Sequence, residues 1–358
     1  MTSKSGESQA QPTSEQISAL KRLAAGIIWT QGNRFVKELL RDKGIRIGAS
    51  KNDFEGNLTE AIETGKLRLN DVKDWLELVE GWGNQHVYLC KISTTLRKDL
   101  IRDKLFQRVK DAGLGNLWCA ETVLTFPDEP TLTSISFTNS VLRLVWQESS
   151  PGWTPVPDKS YTKQEELDTF EYRAWRKIER RAITRFEAHL DKGLAGLFIA
   201  NPIQGSEHQT AIEEAKRVIS LLMNYSVLEK GQIDISVVSK NLDQRNVPTN
   251  ASQNPEVKAH MSRLTSGGAY VEFAANSRDK AYWEEPAIQN VRKSVRDQQL
   301  TAFQGTDGVF IFQPGSGPVS LTRTLRVQLY GKDERIRLWA QMNAEEVWTI
   351  LTKLSKYQ

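Results

Sequence analysis

The chain has 358 residues, 39% of them apolar, and a net charge of +4 with an isoelectric point near 8.9. No apolar run approaches the roughly 18 residues of a membrane-spanning helix, and two cysteines, Cys90 and Cys119, exclude a disulfide framework and suit a reducing compartment. The mild positive charge permits an anionic partner without requiring one.

Residues 1–13 are polar, lack the apolar core of a secretory signal and are expected to be a disordered tail, so an intracellular protein is expected, cytoplasmic or nuclear/nucleoid, and not a secreted one. Ser14 is placed to cap a helix whose stripe is Ile17, Leu20, Ala24, Ile27 and Ile28. Phe35, Val36, Leu39 and Leu40 repeat at helical spacing, and Gly44 follows where a left-handed cap residue is wanted. Ile45 and Ile47 alternate with Arg46 as an extended link. Ser50, with Asp53 three residues on, caps a second helix with Phe54, Leu58 and Ile62 as its buried stripe. Val72, Trp75, Leu76 and Val79 mark another helix, stopped by Gly81 and Gly83.

Together, Val36-Lys37-Glu38-Leu39-Leu40, Lys43-Gly44-Ile45, Ser50-Lys51 and the stretch Phe54 to Ala61 resemble the SAP motif, a short helix–extended–helix DNA-binding module. The resemblance is confined to about residues 35–62. The family usually has a glycine directly before the small residue and lysine of its turn; here Ala49 intervenes after Gly48, and Gly56 interrupts the second helix. The resemblance implies a duplex contact, with Lys37, Arg41, Lys43, Arg46 and Lys51 outside the apolar positions as the cations that meet phosphate.

Beyond Gly83 the pattern changes. A strand is expected from His86 to Ile92, a long helix from Leu96 to Ala112, and strands at Trp118–Phe126, Leu132–Phe137 and Val141–Gln147. The proline-rich stretch 149–163 reads as a linker. From Ala182 onward, alternation, the Asp191-Lys192-Gly193 turn and the apolar run Leu194 to Ala200 predict a hairpin. A helix opens at Ser206, Ile233 to Val238 reads as a strand, and Val247 to Pro255 as loop. Strands follow at Ala269–Ala274, Gly308–Phe312, Leu325–Tyr330 and Arg335–Ala340. Asn343, with Glu346, caps a last helix. The predicted class is α+β: a small N-terminal helical domain (14–83), then a larger mixed, mainly antiparallel body comprising a segment at 84–148, the linker, and an α+β domain at 164–358.

Chemistry-bearing patterns are sparse. His86, His189, His208, His260 and the two cysteines are too scattered for a zinc site. Walker and G-x-G-x-x-G phosphate loops are absent, although the turn at 200–206 leads into a helix N-terminus. Gly315-Ser316-Gly317 matches only the middle of a nucleophile elbow. Asp234 with Glu256-Val257-Lys258 matches the residue types of a metal-dependent nuclease. A second basic group, Arg173, Arg176 and Lys177, is interleaved with Tyr172 and Trp175, a combination that grips phosphate and stacks on bases. Glutamates 165, 166, 171 and 179 oppose it. Arg323, Arg326, Lys332, Arg335 and Arg337 form a third group. Trp75, Trp146 and Trp348 suit the core, whereas Trp153 and Trp283 stand in polar surroundings as contact anchors. The expected function is non-enzymatic DNA binding, without cofactor, metal or catalytic residue. The alternative is a structural or adaptor subunit with a protein partner, and the nuclease ranks third.

Overall fold

The computed structural model describes residues 13–82, 84–120, 126–156, 159–165, 167–200, 207–245, 256–266, 269–277, 280–297, 304–315, 321 and 323–358. Four helices come first: α1 (Ser14–Thr30), α2 (Asn33–Asp42), α3 (Lys51–Glu63) and α4 (Leu69–Leu76). Strand β1 (Gln85–Lys91), helices α5 (Thr94–Asp99) and α6 (Arg102–Asp111), and strands β2 (Thr131–Thr138) and β3 (Val141–Ser149) follow. Then come β4 (Gly152–Pro155), β5 (Tyr161–Glu165), β6 (Asp168–Tyr172), β7 (Trp175–Ile178), β8 (Arg181–His189) and β9 (Leu194–Ala200). Helices α7 (Glu207–Leu222), α8 (Tyr225–Glu229) and α9 (Ile235–Arg245) lead to β10 (Val257–Ser266), β11 (Ala269–Ala274) and α10 (Pro286–Asp297). The last elements are β12 (Gln304–Phe312), β13 (Leu325–Tyr330), β14 (Arg335–Leu338) and α11 (Ala344–Leu354). With 43% of residues helical, 31% in strands and a large antiparallel sheet, the class is α+β.

Chain contacts gather the described residues into two compact units. One takes them from Met1–Val79, Leu124–Phe126 and Ser149–Arg181; the other from Glu80–Val123, Pro127–Glu148 and Ala182–Gln358. In the first unit, α1 to α4 enclose a core of Leu20, Ile28, Val36, Leu40, Phe54, Leu58, Val72 and Trp75. Thr13, rather than Ser14, caps α1, its hydroxyl accepting from Gln16 N–H while the Gln16 side chain accepts from Thr13 N–H. The stretch 149–163 is not a linker. It supplies β4, which pairs with β7, and the start of β5, which pairs with β6, so the chain doubles back as a β-ribbon in the same unit as the helices. Its polar composition misled because both faces of the ribbon's outer section are exposed, leaving no apolar alternation to read.

The second unit is built on a ten-stranded sheet in the order β11-β10-β12-β13-β14-β1-β9-β8-β3-β2. Side chains alternate between two cores on its opposite faces. Val87, Leu89, Phe198, Ile336 and Leu338 join α9 and α11 in one core. Ile135, Leu144, Phe186 and Ala195 join α5 to α8 in the other. The 182–200 hairpin forms as β8 and β9.

Four expectations are corrected in this unit. The helix expected over Leu96 to Ala112 is two, because the chain turns at Leu100 and Ile101 to bury the first and leave the second exposed. The strand expected at Trp118–Phe126 shrinks to one parallel bridge, Trp118 to Ile135, beside Cys119 at φ +56°; residues 121–125 lie outside the described residues. Ile233 to Val238 is not a strand but leads into α9. The Asp234 carboxylate accepts from Val237 N–H at 2.9 Å, as an N-cap does, and Ile235, Val238 and Leu242 share the buried face. Trp283, expected at the surface, is 6% exposed within the α9 and α11 core.

Candidate nucleic-acid interface

The SAP-like segment folds through local signals. Gly44, at φ +61°, ends α2: its N–H donates to the Arg41 carbonyl and the Ile45 N–H to the Leu40 carbonyl, both at 2.8 Å. These two bonds close a Schellman motif, which only a left-handed residue permits. At the head of α3, Asp53 N–H donates to the Ser50 hydroxyl at 3.2 Å, and the Asp53 carboxylate accepts from Ser50 N–H and Ala49 N–H, each at 2.8 Å. The Ser50 backbone bond first, then the Ser50 hydroxyl and the Ala49 bond, hold the Asp53 carboxyl below its ordinary range. Gly48 belongs to the same turn: a Cβ there would collide with the Asp53 side chain.

Three of the five module cations are drawn into the fold. Lys43 forms an ion pair with Asp71 at 2.5 Å, and that bond raises its pKa above the usual lysine value. The Lys51 ammonium turns inward to the carbonyls of Trp29 (3.2 Å) and Gln31 (3.0 Å), sealing the C-terminal end of α1, and burial lowers its pKa. Lys37 lies over the Phe54 ring, 5.9 Å from its centre. Arg41 and Arg46 are exposed and make no ion pair with a described residue.

The ribbon cations divide in the same way. Arg173 makes a bidentate pair with Glu171 (2.9 and 3.0 Å). Arg176 reaches back to Glu55 of α3, again bidentate at 2.7 and 2.8 Å, and lies 5.8 Å from the centre of the Trp29 ring. Trp29 Nε1–H donates to the same carboxylate at 2.8 Å. Burial pushes the Glu55 carboxyl up, but the Arg176 and Trp29 hydrogen bonds outweigh it and bring the pKa down. Nothing local in the sequence points to Glu55, since its arginine partner lies 121 positions away. Lys177 is exposed, with no ion pair to a described residue.

The register of β4 and β7 sets Trp153 opposite Lys177 and Pro155 opposite Trp175, so these four share one face. The other face holds Ile178, which is buried, and Arg176. Trp153 is 66% exposed and Trp175 is also exposed, which places two open indoles beside Lys177. Arg173 lies between β6 and β7, outside this paired register. Farther along, Tyr161 and Tyr172 are cross-strand partners with stacked rings 4.8 Å apart, Phe170 is exposed, and Leu167 at the tip is 98% exposed.

The residues of the nuclease pattern are each engaged elsewhere. Asp234 caps α9, Glu256 pairs with Lys353, and Lys258 pairs with Glu284 at 3.2 Å. Among the described residues, no three His, Cys, Asp or Glu side chains gather where they would hold a metal ion. The turn at 201–206, the loop at 247–255 and residues 316–318 lie outside the described residues, as does nearly all of the expected N-terminal tail. No helix among the described residues is long and apolar enough to cross a membrane. No protein-family model matches the chain, and a search of curated proteins finds no significant match.

Proposed function

We propose that the chain is a non-enzymatic nucleic-acid-binding protein that holds duplex DNA through its first compact unit. Arg41 and Arg46, on either side of the glycine turn, and Lys177 on the ribbon are its phosphate contacts. The observation that carries this reading is the exposure of these three cations without an ion pair to any described residue. Lys43, Lys51 and Arg176 tie elements of the unit together through their carboxylate and carbonyl partners, and Arg173 is paired with its near neighbour Glu171. Trp153 and Trp175 add apolar contact beside Lys177. The test is fluorescence anisotropy with a labelled duplex at two salt concentrations. Three released counterions give a slope of log K on log salt of about −3. The Arg41→Ala, Arg46→Ala double variant is expected to bind at least about tenfold more weakly, on the scale of two lost phosphate contacts. A duplex that fails to bind at low salt, or binds with no salt dependence, removes the reading.

The ribbon favours a second reading, an adaptor subunit. Trp153, Tyr161, Leu167, Phe170, Tyr172 and Trp175 are exposed large side chains crowded on one ribbon, the composition of a protein contact. Loss of a co-purifying protein in a Trp153→Ser, Trp175→Ser variant, from a chain that shows no salt-dependent duplex binding, would favour it over the first.

A further inference from the structure

In the second unit, β13 and β14 turn Val327, Leu329, Ile336 and Leu338 into the core and Gln328, Tyr330, Arg335 and Arg337 to the opposite face. Arg337 stands opposite His86 of β1 in the ladder and opposite Gln328 of β13. Its guanidinium carbon lies 3.6 Å from the centre of the Trp339 ring. Arg335 covers Tyr330 at 4.4 Å and pairs with Asp333 at 3.0 Å. The His86 ring meets that of His208 edge to face, with centres 4.6 Å apart. His208 is 8% exposed and stands in the first turn of α7, where free backbone amides add partial positive charge.

Three buried nitrogens of this group have no hydrogen-bond partner among the described residues: Nε of Arg335, Nε of Arg337 and Nδ1 of His208. Burial first, then the charges of Arg335 and Arg337, lower the His208 pKa, so both guanidinium groups act on the same imidazole. Arg337 has no ion pair to a described residue, and Asp333 offsets only Arg335. A half-buried arginine without a carboxylate is costly, and buried donors that the protein does not satisfy are met by water, an ion or a ligand. Paired arginines, a ring nitrogen that can donate and a helix N-terminus are the groups that recognise a tetrahedral oxyanion.

We infer that Arg335, Arg337 and His208 form a binding site for a phosphate group, with Trp339 and Tyr330 as flanking aromatic surfaces. The site is independent of the duplex contacts proposed for the first unit and is tested without duplex. The phosphate comes from a small phosphorylated molecule or from a nucleic-acid strand. Isothermal titration of the full chain with inorganic phosphate, a nucleoside 5′-monophosphate and a single-stranded oligonucleotide without terminal phosphate separates these sources. Tighter binding of the monophosphate identifies a small ligand, and tighter binding of the oligonucleotide identifies a strand. Either result, with a stoichiometry of one, at least tenfold weakening in Arg337→Ala and no change in Lys240→Ala, an exposed lysine of α9 on the other side of the sheet, supports the site. If Arg337→Ala does not fold, Arg337→Lys, which keeps the charge and loses the planar fork, is expected to weaken binding several-fold. Failure of all three probes to bind, binding unchanged in every Arg337 variant that folds, or equal weakening in Lys240→Ala overturns it.

Discussion

Arg185 and Arg337 make a matched pair in the second unit. Each lies with its guanidinium carbon 3.6 Å from the centre of a tryptophan ring, Trp82 for one and Trp339 for the other. Arg185 also has an acid: Glu187, 1% exposed, lies 3.1 Å away and is shared with Arg143 (2.7 Å), His189 (3.2 Å) and the indole N–H of Trp348 (2.8 Å). Arg337 has the ring alone. The Arg185 stack is buried and also meets Phe198 at 4.9 Å, so it contributes more than the open stack on Trp339; the larger difference is the carboxylate. One arginine is held by charges that the fold itself supplies; the other presents a charge that the described fold leaves unanswered.

The most severe way to break this comparison is to remove the acid. Glu187→Ala strands Arg185 and Arg143 without their carboxylate and is expected to destabilise by roughly 3–5 kcal/mol in urea unfolding. The same carboxylate predicts acid sensitivity. Burial alone would raise its pKa, but Arg185, the His189 hydrogen bond, Arg143 and Trp348 together hold it down to about 2. A group depressed on folding contributes fully above its unfolded pKa, about 4.3, and that contribution fades as pH falls toward the folded value. The urea midpoint of the native chain should therefore drop between pH 5 and pH 2 on the order of the range that linkage gives for one such carboxylate, and Glu187→Gln should flatten part of that drop.

A smaller effect is expected where a pair is partly open to water. Glu55→Ala, which frees Arg176 and the Trp29 indole, should cost about 1 kcal/mol or less and matter less at high salt. Arg337→Met should leave the melting temperature unchanged or slightly higher, because no ion pair is lost and an apolar chain of similar volume covers Trp339. A loss comparable to that of Glu187→Ala would mean that Arg337 is a structural ion after all, and the comparison with Arg185 would fail. Thiol labelling is the gentlest test and perturbs nothing. Cys119 is exposed and should react first, while Cys90 is half-buried and burial pushes its thiol up to about 12, so Cys90 should label far more slowly.

Local chemistry was legible in the sequence wherever the partners lie within a few positions of one another. Gly44 takes the left-handed conformation its position predicts, and Ser50 with Asp53, like Asn343 with Glu346, closes a reciprocal cap. A cap is satisfied inside one turn, so no distant residue can overrule it. The 182–200 hairpin was readable for a related reason: alternation and an Asp-Lys-Gly turn set its register.

Misreadings begin where distant partners decide. Ile235-Ser236-Val237-Val238 has strand composition, yet Asp234 caps a helix there and Ile235, Val238 and Leu242 find their neighbours in a core drawn from β10 to β14. Trp283 has polar neighbours in sequence and apolar ones in space. The fate of each cation was equally unreadable, because Lys43 meets Asp71 and Arg176 meets Glu55 only once the helices and the ribbon have packed. By itself, then, the chain's order of residues determined its α+β class, its caps and its tight turns, all of which rest on short-range sterics and hydrogen bonds. Tertiary structure alone decided which charges are spent on neighbours and which remain for a partner, because that depends on side chains brought within a few ångströms from far apart in the chain.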